Sequence, residues 1–89
     1  MRKIEIEWDE DSIEHIGAHD VEPEEVEEVV QGRYFFQRSA RGTHYAYGQS
    51  DSGRYLFVVL RKKPLGRFRV VTARDMNGAE RKRFSKHMR

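Results

Sequence analysis

The chain has no cysteine, and its 89 residues include only two prolines, one tryptophan and no long apolar run. Each shortage closes a class of structure or chemistry. Without cysteine there is no disulfide framework, no thiolate nucleophile and no cysteine-ligated zinc. The longest apolar stretch, residues 55–60, is far too short to cross a bilayer, so no membrane partner is expected. No repeat, low-complexity tract or linker interrupts the chain, which reads as a single domain over residues 1–89. Hydrophobic residues make up only 37%, so the core must be thin, although the length exceeds that at which metals or disulfides are usually needed. No phosphate-cradling glycine loop, dinucleotide fingerprint or Gly-x-Ser-x-Gly elbow occurs, and no cofactor is expected. The N-terminal MRKIEIEWDE turns acidic at once, unlike a signal or transit peptide, which makes the cytoplasm the expected location.

What the chain does have is charge, sorted by position. Residues 1–32 hold twelve Asp/Glu against two Lys/Arg, and residues 33–89 hold three Asp/Glu against fifteen Lys/Arg. The formal total of +2 hides this division. A basic segment with Tyr and Phe interleaved suits a polyanion, the cations meeting phosphates and the rings meeting bases. Mutual neutralisation of the two parts within one fold explains the same composition, and both readings stand at this point.

Ile4, Ile6 and Trp8 alternate with Glu5 and Glu7, the pattern of a short strand with one buried face. Asp9 to Ser12 supply acidic, cap-like residues, and Ile13 and Ile16 follow at helical spacing, predicting a first helix that stops near Gly17. Pro23, Glu24 and Glu25 open a second helix, Val21 can staple onto Val26, and Val26, Val29 and Val30 form its apolar stripe. Gly32 fits a left-handed C-terminal position. Four strands then follow at residues 33–38, 43–49, 55–60 and 68–73, with turns at 39–42, 50–53 and 62–66. The third is apolar on both faces, so it is expected to be central and covered by helices on at least one side. Asn77 and Glu80 make a capping box for a last helix, with Phe84 and Met88 inward and Arg81, Lys82, Arg83 and Lys86 largely outward. The order β-α-α-β-β-β-β-α gives an α+β fold with a small, mostly antiparallel sheet flanked by helices.

The four histidines are the only side chains that titrate near neutrality without help. His15 and His19 are four apart, but no Glu follows His15, so the zinc-protease pattern is missing and no metal is expected. His19 alone also reads as a loop histidine capping the first helix. Arg69 and Arg74 have an odd separation, which sends them to opposite faces of a regular strand; they converge only if the strand bends or ends before Arg74. Exposed ion pairs with the acidic segment, at about 0–1 kcal/mol each, are a weak reason for so many arginines. Alternation puts Thr43, Tyr45 and Tyr47 on one face and His44 on the other, so the exposed face offers either stacking rings or a proton carrier.

Trp8-Asp9, His19 after the first helix, Pro23-Glu24-Glu25, Gly53-Arg54-Tyr55-Leu56, the block from Arg69 to Arg74, and Glu80-Arg81 occur in this order. With them the chain resembles the BrnT-like toxins of bacterial type II toxin–antitoxin systems over nearly its full length. The block from Arg69 to Arg74 followed by Glu80 is the most specific part. The resemblance implies a RelE-like fold, a small curved antiparallel sheet flanked by helices, and metal-independent endoribonuclease activity. It implies an RNA substrate and a small DNA-binding antitoxin that covers the toxin and represses their shared operon. A homodimer or a toxin–antitoxin hetero-oligomer is the assembly in view. Functional positions of the family fall on His19, Arg54, Arg69, Arg74 and Glu80. The chain departs from the family pattern at Asp20, where Gly is usual, and at Phe84, where Tyr is usual.

Cleaving RNA without a metal needs a base for the 2′-hydroxyl, charge stabilisation at phosphorus and an acid for the leaving 5′-oxygen. Arginine stays protonated and can only stabilise charge. His19 is therefore the expected proton carrier, with Glu80 or His44 as second partner, while Arg69 and Arg74 clamp the phosphate. His44 is placed there by chemistry alone. Arg54, Arg81, Lys82, Arg83 and His44 are expected to hold RNA. The arrangement this requires is one concave patch of cations around Arg69 and Arg74 with His19 at its edge. The alternatives are an RNA-binding module without catalysis and a protein-interaction domain without a nucleic-acid ligand.

Overall fold

The computed structural model describes residues 4–88. Asp9 accepts a hydrogen bond from the Ser12 backbone N–H and caps α1, Glu10–Gly17, with Glu10 and Asp11 at the positive end of the helix dipole. Ile16 is buried, whereas Ile13, expected on the same stripe, is 42% exposed. The buried Ser12 hydroxyl donates to the Val70 carbonyl at 2.8 Å, which pins α1 to the last strand. The turn after α1 closes at Asp20, whose φ of +59° is left-handed, with the Val21 N–H bonded back to the Ile16 carbonyl. Helix α2, Pro23–Gln31, starts with a capping box between Glu22 and Glu25 and buries Val26, Val29 and Val30. Gly32 ends it at φ −102°, so the predicted left-handed glycine is absent there. Close approach demands a glycine at Gly48 instead, where a Cβ would lie 2.8 Å from Val29 Cγ1.

Strands β1 (Tyr34–Arg38), β2 (Thr43–Gln49), β3 (Tyr55–Lys62) and β4 (Phe68–Asp75) form an antiparallel sheet in the order β1-β2-β3-β4. Arg41 and Gly42, at φ +60° and +75°, make the two-residue turn between β1 and β2, with both residues in the left-handed region. The predicted N-terminal strand is reduced to one parallel bridge, Ile6 with Phe68, held by Glu7 N–H to Phe68 O and Phe68 N–H to Glu5 O. Pairing stops there because α1 takes over the flank of β4 at Val70. The element order is therefore α-α-β-β-β-β-α, and the fold is the α+β arrangement read from the sequence.

Strand β3 is apolar on both faces because helices cover both. Leu56, Val58 and Leu60 join Ala46, Val70 and Ala73 against the buried residues of α1 and α2. Phe57 and Tyr47 join Met76 and Phe84 under α3, Gly78–His87, on the opposite face. Between Val59, paired with Thr72, and Leu60, paired with Val70, the register shifts and leaves Val71 as a bulge. Val70 and Ala73 can thus both point into the first core. The same bulge sends Arg69 and Arg74 out on the α3 face, despite their odd separation. Among the described residues no helix is long and apolar enough to cross a membrane.

Candidate nucleic-acid interface

The α3 face gathers cations over rings. Asn77 accepts from the Glu80 N–H and Glu80 accepts from the Asn77 N–H, so the helix begins with its capping box. The Glu80 carboxylate also accepts two bonds from Arg74, at 2.8 and 2.9 Å. This pairing, first among the causes, holds the Glu80 carboxyl below its ordinary value of 4.5, although burial opposes it. Arg74 in turn lies 4.5 Å above the Phe57 ring. It is a cation fixed by a fork of hydrogen bonds on an aromatic floor. Arg83 donates to the Tyr47 hydroxyl at 3.2 Å, and that hydroxyl donates to Gln37 Oε1 at 3.2 Å. Arg81 stacks 4.1 Å from the Tyr55 ring centre. His87 lies flat on Phe35, with centroids 4.0 Å apart and planes 5° from parallel, and Phe35 stacks on Tyr47 at 5.3 Å. Lys82, Ser85 and Lys86 line a shallow groove beside Arg81. Among the described residues Arg81, Lys82, Arg83 and Lys86 form no salt bridge.

Several residues singled out by the sequence lie elsewhere. Arg54, 25% exposed at its side chain, donates to Asp75 at 2.7 Å, Glu25 at 3.0 Å and the Asp20 and His19 carbonyls at 2.6 and 3.3 Å. It ties together the end of α1, the start of α2 and the end of β4, and its expected role in holding RNA gives way to this structural one. Arg69 shares the α3 face with Arg74 at the backbone, but its Nε donates to Asp9 at 2.9 Å. Its guanidinium therefore sits in a cleft with Asp11, Glu14, His15 and Val71, apart from the Arg74 cluster. His19 is exposed beyond α1; its ring faces His15 at 6.5 Å. Among the described residues no hydrogen bond or ring contact joins it to Arg69, Arg74 or Glu80. His44 is 5% exposed, stacked on Phe36 at 5.1 Å and edge-on to Phe68 at 5.3 Å, with Nδ1 3.2 Å from the Gly42 carbonyl. Its place is the face covered by α1 and α2, which removes it as an RNA contact and proton carrier.

The single patch expected around Arg69 and Arg74 is therefore corrected: one set of cations meets the acidic segment, another lies on the α3 face, and the exposed Arg38, Arg41, Arg61 and Lys62, around the β1–β2 turn and the end of β3, belong to neither. Arg54, Lys63, Arg67 and Arg69 pair with Glu25, Glu5, Glu7 and Asp9 of the acidic segment. The pairs of Lys63, Arg67 and Arg69 form because β4 and the turn before it run beside the N-terminal segment and the start of α1, and that of Arg54 because the turn before β3 lies against the start of α2. The cations of α3, on the far face of the sheet, have no such neighbours. Gln37, Phe35 and His87 enter the site without having been picked from sequence, and Tyr47, weighed there as a stacking ring, enters through its hydroxyl. One signal was available: Glu80, Arg83 and His87, spaced by three and four, share a helical face.

The result is a fixed guanidinium, a second guanidinium on a phenol hydroxyl, and an exposed imidazole on a ring platform. Such a set can hold a phosphodiester and stabilise added charge on it. Among the described residues no group of three His, Asp or Glu side chains is arranged to hold a metal ion. No protein-family model matches this chain, and neither the curated proteins nor the solved structures yield a match.

Proposed function

We propose that this chain is the toxin of a bacterial type II toxin–antitoxin system, a metal-independent endoribonuclease of the cytoplasm that holds RNA on α3 and the sheet face beneath it. The order of the BrnT-like blocks supplies the reaction class. The observation that carries the placement is Arg74, locked by Glu80 over Phe57 and flanked by Arg83 on the Tyr47 hydroxyl. In the reaction the RNA 2′-oxygen bonds to the adjacent phosphorus and the bond from phosphorus to the 5′-oxygen breaks. The products are a 2′,3′-cyclic phosphate and a 5′-hydroxyl. Arg74 and Arg83 offset the extra negative charge of the phosphorane, which is where preorganised cations act most strongly. Glu80, held charged by Arg74, is a positioning group here, and Arg81 and Lys82 contact the flanking phosphates. A small DNA-binding antitoxin then inactivates the protein by covering this face.

Purified protein incubated with a long RNA in excess chelator should give a ladder of fragments ending in cyclic phosphate, and Arg74→Ala should give none. A ladder of equal intensity from that variant would remove the assignment. The separation of His19 and His44 from Arg74 favours a second reading, an RNA-binding module without catalysis. It predicts salt-sensitive binding with no ladder.

A further inference from the structure

We propose that His87 is the catalytic base of the α3 site, touching the 2′-hydroxyl of bound RNA; this rests on the ribonuclease reading above. The reaction needs a group that accepts a proton near neutral pH, and imidazole is the side chain suited to that. The other groups near Arg74 are unsuited. Arg74, Arg81 and Arg83 stay protonated. Glu80 is occupied by Arg74 and the helix cap. Tyr47 is only 2% exposed, and its hydroxyl is shared between Arg83 and Gln37. His87 differs from all of these: it is exposed, and Phe35 fixes the plane of its ring.

Stacking uses the ring face and leaves both nitrogens at the open edge. Among the described residues neither has a hydrogen-bond partner. Among the described residues, Tyr47 on β2 stacks on the same Phe35 ring, Arg83 lies one turn earlier on α3, and Arg33 donates to the Met88 carbonyl at 3.2 Å. Both guanidiniums favour a phosphate beside the ring. In the step, neutral His87 takes the 2′-hydroxyl proton as the 2′-oxygen bonds to phosphorus. The bond to the 5′-oxygen breaks, water protonates that oxygen, and the resulting hydroxide takes the proton back from the imidazolium. Protons and electron pairs balance with water as the only co-reactant.

The test is single-turnover cleavage of a long RNA in chelator across about pH 5–8, the range in which imidazole changes charge. The unaltered protein, His87→Gln and His87→Phe are compared, with RNA affinity measured alongside. The ring is exposed, so both variants should fold, and the Phe variant keeps the stack on Phe35. We expect each variant to lose about 10²–10⁴-fold in rate with unchanged affinity, and to lose the fall in rate toward acid that the unaltered protein shows. Wild-type rates and an unchanged acid limb in both variants would overturn the assignment. Equal losses of rate and affinity would overturn it too, making His87 a stacking contact. If the unaltered protein cuts no RNA in chelator, the ribonuclease reading itself falls, and this assignment with it.

Discussion

Arg54 shows how a residue chosen for binding turns out to hold the fold. Its guanidinium meets two carboxylates and two carbonyls from three separate segments. Sequence offered no way to see this, because Glu25, Asp75 and the α1 turn are brought together only by the tertiary structure. Arg54→Met should lower stability by about 2 kcal/mol in urea denaturation and leave RNA affinity unchanged. A loss of affinity without a loss of stability would return Arg54 to the binding surface. Asp20 gives a second check at this scale. It stands at φ +59°, a conformation that glycine adopts without strain. Asp20→Gly should therefore stabilise the protein by about 0.5–1 kcal/mol, raising the thermal midpoint by about 2–8 °C. Destabilisation would mean that the aspartate side chain does more at that turn than fill a strained position.

At the scale of elements, α3 depends on one carboxylate for its cap and for the orientation of Arg74. Glu80 has a depressed pKa in the fold, with Arg74 the leading cause. Its contribution is therefore complete above its ordinary value of 4.5 and is lost as the pH falls through the lower folded value. Glu80→Gln should cost about 1–2 kcal/mol near neutrality, and the gap from the unaltered protein should narrow in acid. Urea midpoints across the acid range check this, and a gap independent of pH would contradict it. This helix was legible in advance because Asn77 and Glu80 are a local signal, as were Pro23 and the valine stripe of α2. The N-terminal strand was legible only as an extended segment: alternation of Ile4, Ile6 and Trp8 reports a buried face, not how many residues find a partner. The bulge at Val71 left no mark. Val70, Val71 and Thr72 are all β-branched residues suited to a regular strand, and no glycine or proline flags the break. Yet that bulge decides which face Arg74 occupies. Alternation correctly separated His44 from Tyr45 and Tyr47, but which face the helices cover is a tertiary fact.

On the scale of the whole molecule, the sorted charges of the sequence do not share one fate. The basic residues beside the N-terminal segment are neutralised by it, and those of α3 face solvent across the sheet. Neither of the simple readings of the composition, one patch or full neutralisation, describes this division. RNA is proposed to engage the α3 set alone. The dependence of RNA affinity on salt concentration measures that directly, because each phosphate contact on a single strand contributes about −0.7 to the log–log slope. The unaltered protein is compared with Arg83→Ala and with Lys63→Ala, the latter paired to Glu7. Arg83→Ala should reduce the slope by about 0.7 and weaken binding to all RNA sequences alike, whereas Lys63→Ala should leave the slope as it was. The reverse pattern, or binding by the unaltered protein that ignores salt, would rule out α3 as the RNA-binding set.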